Sequence, residues 1–200
     1  MLTFEEIVEP SKLIMKRIIL VTTLILSFTI LKAQNLDPWT EYATPTNFHK
    51  LLSKYSGSFN IEITMFMEEG KAPLAEKAES YQSMLLGERY LEMKQFGKMM
   101  NMDFLAITTI GFNNTDQKVT LTSISNMGTA ILTLTGDWDE KSNSAALFGQ
   151  QTNPVTKKVI KVKQVITFID ANTILIESFD QEGKKPFRKT MQYKYTRNKK

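Results

Sequence analysis

From Ser58 onward, apolar residues recur at every second position, and no stretch of helical spacing interrupts the pattern before the chain ends. Phe59, Ile61, Ile63, Met65 and Met67 alternate with Ser58, Asn60, Glu62 and Thr64. Turn signals follow at Gly70 and Pro73, Gly87, Gly97-Lys98, Asn113-Asn114, Asn126 and Gly128, 137–143, Asn153-Pro154, 170–172, and Gly183 and Pro186. Between them lie strand candidates at 75–86, 89–96, 101–112, 119–125, 130–136, 144–151, 158–170, 173–180 and 187–196. This spacing predicts about ten strands joined by short connections. Without helices between strands a parallel βαβ sheet is not expected, and short connections favour antiparallel neighbours. Ten strands in up-and-down order favour closure, because closure removes the edges. The expected fold is all-β: a closed or nearly closed antiparallel barrel over 46–200.

One helix precedes the strands. Thr46 is a good N-cap, and Phe48, Leu51, Leu52 and Tyr55 recur at helical spacing, which predicts a helix over 47–55 stopped by Gly57. Residues 34–45, with Pro38 and Pro45, read as a polar linker.

The first 33 residues read as a secretory signal peptide. Met15-Lys16-Arg17 precedes an apolar run from Ile18 to Leu31, and a cut after Ala33 fits the small-residue rule. The run falls short of the roughly 20 apolar residues that span a bilayer. Residues 1–14 place Glu5, Glu6 and Glu9 ahead of the basic segment, which points to Met15 as the true start. The chain is therefore expected to be exported, periplasmic or secreted, with no membrane insertion after cleavage. Removing residues 1–33 takes four of the 25 basic and three of the 21 acidic residues, leaving 21 against 18, net +3. Lys157, Lys158, Lys161 and Lys163 are interleaved with apolar residues as on the solvent face of a strand, so nucleic acid is not an expected partner.

Composition removes several chemistries. With no cysteine there is no disulfide framework, thiolate metal site, cysteine nucleophile or lipid-modified cysteine anchor, and with His49 alone no multi-histidine metal site. Phosphate loops, the G-x-S-x-G elbow and H-E-x-x-H do not occur. No metal, cofactor or catalytic residue is assigned.

Several short motifs, in order and spacing, resemble the DUF1579 family, bacterial proteins of unknown function. His49-Lys50-Leu51-Leu52 followed by Gly57-Ser58-Phe59 is similar to its opening H-x-L-x-x-x-x-G-x-W. Leu85-Leu86-Gly87-Glu88-Arg89-Tyr90-Leu91 resembles L-G-G-R-F/Y-L, and Phe104 with Gly111-Phe112-Asn113 resembles F-x-G-x-x-x-x-G-Y-D. Gly136 and Tyr195-Thr196-Arg197 fall where the family has similar residues. Phe59 replaces a tryptophan, Glu88 a glycine and Asn113 an aspartate of the family pattern. The resemblance covers Phe48 to Arg197 and implies a calycin-like, lipocalin-like barrel; it implies no reaction.

A ten-stranded barrel has interior room, and eleven methionines suit an irregular apolar cavity. The expected function is binding of a small apolar or amphiphilic, lipid-like ligand inside the barrel. Candidate lining residues are Phe59, Ile61, Ile63, Met65, Phe104, Ile110, Phe112 and Tyr193, with Arg89, if inward, as the polar anchor for a carboxylate or phosphate headgroup. His49 is a further candidate, as a haem ligand in a barrel or as a hydrogen-bonded plug. Asp137, Asp139 and Glu140 around Trp138 read as a solvated loop before any acid–base pair or cation site. The competing classes are a hydrolase or isomerase using Arg89, Glu92 or His49 in the same cavity, and a ligand-free interaction module of the envelope.

Overall fold

The computed structural model describes residues 37–198; the signal peptide, its cut site and the Met15 start lie outside them. Two compact units divide at Glu41, and the second, from Tyr42, holds the barrel. Helix α1 (Pro38–Ala43) begins behind Asp37, whose carboxylate accepts the backbone N–H groups of Trp39 and Thr40 at 3.0 and 3.2 Å. Among the described residues no helix is long and apolar enough to cross a membrane.

Ten antiparallel strands close into one barrel: β1 (Gly57–Met65), β2 (Leu74–Leu85), β3 (Tyr90–Met99), β4 (Met102–Asn113), β5 (Lys118–Ser125), β6 (Leu132–Asp139), β7 (Ser144–Thr152), β8 (Val159–Asp170), β9 (Thr173–Glu182) and β10 (Arg188–Arg197). Each strand pairs with its sequence neighbours, and β1 pairs with β10 from Phe59↔Arg197 to Met65↔Met191. The two-residue period explains the core. On β1, Phe59, Ile61, Ile63 and Met65 point inward and are buried, while Ser58, Asn60 and Glu62 face water.

Three local readings are corrected. Gly97 does not break a strand; it sits inside β3, where a Cβ would lie 2.8 Å from that of Ala78 on β2, so the two strands approach too closely for a side chain. The turn comes later, at Met100 and Asn101, whose φ values of 50° and 62° suit a two-residue hairpin. The acidic stretch at 137–139 is the end of β6, with Asp137 beside Lys118 across the ladder (2.5 Å) and Trp138 packed against the core. Alternation, not loop polarity, governs there.

Helix α2 (Asn47–Ser53) seals the barrel end where β1 begins. Leu52 is fully buried, and the Phe48 ring lies 5.0 Å from Phe112 and 4.9 Å from Trp138. Tyr55 stacks 4.8 Å from Phe168 and donates its hydroxyl to the Asp170 carbonyl at 2.8 Å. At the opposite end the β1–β2, β7–β8 and β9–β10 loops border a groove of about 730 Å³ that includes Phe66, Ile160, Asp180 and Phe187.

Candidate ligand site

The inner face is not uniformly apolar. On the inner face the strands present Ser80 and Gln82 (β2), Gln95 (β3), Thr108 (β4), Ser123 (β5), Gln164 (β8), Ser178 (β9) and Tyr193 and Tyr195 (β10). The ladder register makes part of this set contiguous, pairing Ser80 with Gln95, Gln95 with Ala106, and Thr108 with Ser123.

A chain of hydrogen bonds crosses the barrel. Tyr195 donates its hydroxyl to Gln95 Oε1 at 3.2 Å, and Gln95 Nε2 donates to Thr108 Oγ1 at 2.9 Å. Thr108 and Ser123 hydroxyls lie 3.1 Å apart. Gln164 Nε2 donates to Ser178 Oγ at 2.8 Å. Between these walls is a cavity of about 100 Å³, bounded by Gln95, Phe104, Thr108, Ser123, Gln164 and Tyr193 among others. No Lys, Arg, His, Asp or Glu lines it. Burial pushes the Tyr193 hydroxyl up to about 12 and that of Tyr195 higher still, the latter also feeling Tyr193. Tyr193 keeps some accessible surface, and that surface faces the cavity. Its hydroxyl meets only the Met191 sulfur, at 3.1 Å, a weak acceptor.

The nominated residues divide into three places. Phe104 and Tyr193 line this central cavity. Met65 is buried opposite Met191 in the β1–β10 ladder, one pair step beyond Ile63–Tyr193 toward the open end. His49, Arg89 and Phe112 come together at the sealed end, around a rim pocket of about 280 Å³ shared with Tyr42 and Asn114.

At that rim Arg89 does not point into the barrel. It ends the Leu86–Arg89 turn, and its guanidinium donates to the carbonyls of Leu86 (3.0 Å), Gly87 (3.1 Å) and Ala43 (2.7 Å). His49 is buried, and its Nδ1 accepts the Thr46 backbone N–H at 2.9 Å, closing the N-terminus of α2 in the way a capping-box Glu or Gln would. Its ring also lies edge-on to Phe112, 6.0 Å between centroids. Burial, the largest effect, and the Arg89 charge hold its pKa below 6.5 against the opposing influence of the Phe112 backbone. The Nδ1 side of the imidazole is thus used inside the fold. Phe59, Ile61, Ile63 and Ile110 are packed core rather than cavity wall. Glu92 lies 3.1 Å from Lys94, a strand neighbour.

Sequence reasoning missed the polar band because alternation marks apolar positions. The signal was available on β2, where Ser80 and Gln82 stand two apart on the same face as Ala78, with polar or charged residues on both faces.

The architecture is thus an up-and-down barrel plugged by a helix at one end and enclosing a small uncharged polar cavity. Residues 44–197 match the family described as protein of unknown function DUF1579, and the chain belongs to that family. No functionally curated protein matches the sequence. Among solved structures, Rv2717c from M. tuberculosis is similar with a TM-score of 0.55 at 12% identity, over 78% of this chain and 100% of that one. The S-type phycobiliprotein lyase CPES from Guillardia theta is similar with a TM-score of 0.54 at 10% identity, over 82% and 99%. At such identity these similarities show the barrel fold alone.

Proposed function

We propose that the protein is an exported barrel that binds a small amphiphilic ligand, with the ligand's polar group in the central cavity and its apolar part directed to the open end. The observation that carries this reading is the cavity itself: hydroxyls and carboxamides around space inside a barrel whose core is otherwise a cluster of buried apolar side chains. A core selected for stability alone would fill that space with aliphatic side chains. Its volume, below the roughly 150 Å³ that accepts a benzene ring, suits a headgroup rather than a whole lipid.

The direction of entry follows from the two ends. The α2 end is closed by the Phe48–Phe112–Trp138 cluster, whose opening would expose several large side chains. The other end leads from the groove, past Met65 and Met191, to Tyr193. Unbranched thioethers re-pack readily. The anchor therefore lies on the polar band inside the barrel rather than at Arg89. Export rests on the Met15–Ala33 segment.

Native mass spectrometry of the protein purified from its own envelope fraction tests both parts. The expected spectrum shows the polypeptide shortened to begin after Ala33 and carrying an additional small-molecule mass. A polypeptide that carries no such mass, and whose spectrum is unchanged by added amphiphiles, would overturn the binding reading.

A further inference from the structure

The polar band continues past the cavity wall to two side chains that none of the described residues satisfies. Ser80 is 1% and Gln82 0% exposed. The Ser80 hydroxyl and both the oxygen and the nitrogen of the Gln82 carboxamide have no hydrogen-bond partner. Their neighbour Gln95, opposite Ser80 in the β2–β3 ladder, uses both ends of its own carboxamide. Pairing is therefore possible on this wall, and Gln82 stands apart from it. Leaving such groups unpaired is destabilising, and methionine would fill the same volume without that penalty, as Met93 does directly across the ladder.

We propose that Gln82 and Ser80 are ligand-binding residues, and that the group they receive is uncharged and carries a donor beside an acceptor: a primary carboxamide or an undissociated carboxylic acid. A carboxamide edge presents one acceptor and one donor side by side, and its complement is another such edge. A carboxylate offers acceptors alone and an ammonium donors alone, so neither matches a donor beside an acceptor, and the central cavity through which either would come has no charged side chain in its lining. Alkanes satisfy neither atom. Met84 and Met93, flanking Gln82 on the inner face, can shift to let the carboxamide turn toward the cavity. This assignment rests on the interior-binding reading and fixes the chemistry of its headgroup.

The test is calorimetric titration of the purified protein with decanamide, decanoate and decyltrimethylammonium at neutral pH. Wild type is expected to bind decanamide at least about tenfold tighter than either ion, the worth of one or two good hydrogen bonds. Gln82→Met is expected to melt a few degrees higher than wild type and to lose about tenfold in decanamide affinity, with a smaller loss in Ser80→Ala. The raised melting temperature separates a lost contact from a lost fold. Leu105→Lys, on the exposed outer wall, is expected to bind as wild type. Decanoate binding as tightly as decanamide, or Gln82→Met keeping full affinity, would overturn the headgroup assignment and leave interior binding standing. Loss of binding in Leu105→Lys would place the probe on the outer wall and overturn it as well. Failure of all three probes to bind wild type would bring down the interior-binding reading, and this assignment with it.

Discussion

His49 shows how much one side chain can be asked to do without reacting. Its ring fastens the first turn of α2 to Thr46 and lies edge-on to Phe112 on β4, 6.0 Å between centroids, so it ties the plug to the wall. Because burial keeps the folded-state pKa below 6.5, the unfolded chain takes up a proton that the folded one refuses. The corresponding stability is complete above that value and is lost as pH falls through it. Urea unfolding midpoints should therefore drop between about pH 7 and pH 5. In His49→Gln, where the carboxamide can still reach the Thr46 N–H as a capping-box glutamine does, this part of the slope should vanish. An identical slope in the variant would place the acid sensitivity elsewhere. The residue scale is also where sequence was least informative. A lone histidine two positions before Leu51 looks the same whether it binds a ligand or closes a helix; only the position of the Thr46 N–H against its ring separates the two. Gln82 and Ser80 escaped for a related reason: inwardness of a polar residue leaves no periodic trace unless its strand's apolar face is already fixed.

At the scale of elements the alternation was legible almost throughout, because each strand buries one face and the pleat admits no other period. It failed where composition and geometry disagree. Asp137 and Asp139 suggested a loop, yet two outward carboxylates flanking an inward tryptophan are an ordinary strand end. Gly70, Gly87 and Gly183 turn the chain as expected, whereas Gly97 suggested a break where it marks close approach. Gly136 is the strictest case, since a Cβ there would stand 1.9 Å from the Ala146 carbonyl oxygen and 3.1 Å from the Leu147 Cα, both backbone atoms of the paired strand. Gly136→Ala must push β6 from β7 and is expected to cost about 3 kcal/mol or more, with loss of soluble yield. Gly128→Ala, in the β5–β6 loop with nothing within 4 Å, should stay within about 0.5 kcal/mol of wild type. Denaturant titration of the pair checks this. Equal midpoints would mean that the ladder tolerates the spread.

For the whole molecule, closure depends on β10, the strand that joins the end of the chain to β1 and also carries Tyr193 and Tyr195 into the interior. Tyr195 reaches across to Gln95 on β3, so the closing strand is held both at its edges and through the centre. That arrangement makes the barrel sensitive to alkali. Neither hydroxyl can ionise inside a wall without a cation, and burial raises Tyr193 to about 12 and Tyr195 beyond it. Tyr55, raised by burial and by Asp170 against Arg197, behaves similarly under the plug. In the unfolded chain all three ionise from the ordinary phenol value of 10.0. Stability is thus fully present below pH 10.0 and is lost as pH rises through the folded values, 12 and above. Ultraviolet titration should find three of the six tyrosines ionising late, together with unfolding. Tyr193→Phe surrenders only a weak bond to sulfur, so its stability near neutrality should stay close to wild type while its loss above pH 10.0 becomes shallower. Tyr195→Phe should instead lose about 1–3 kcal/mol at neutral pH, because Gln95 Oε1 is left without a donor in the core. If the two variants titrate alike and differ from wild type by the same amount at neutrality, the cross-barrel tie contributes nothing, and the ladder with β1 alone closes the sheet.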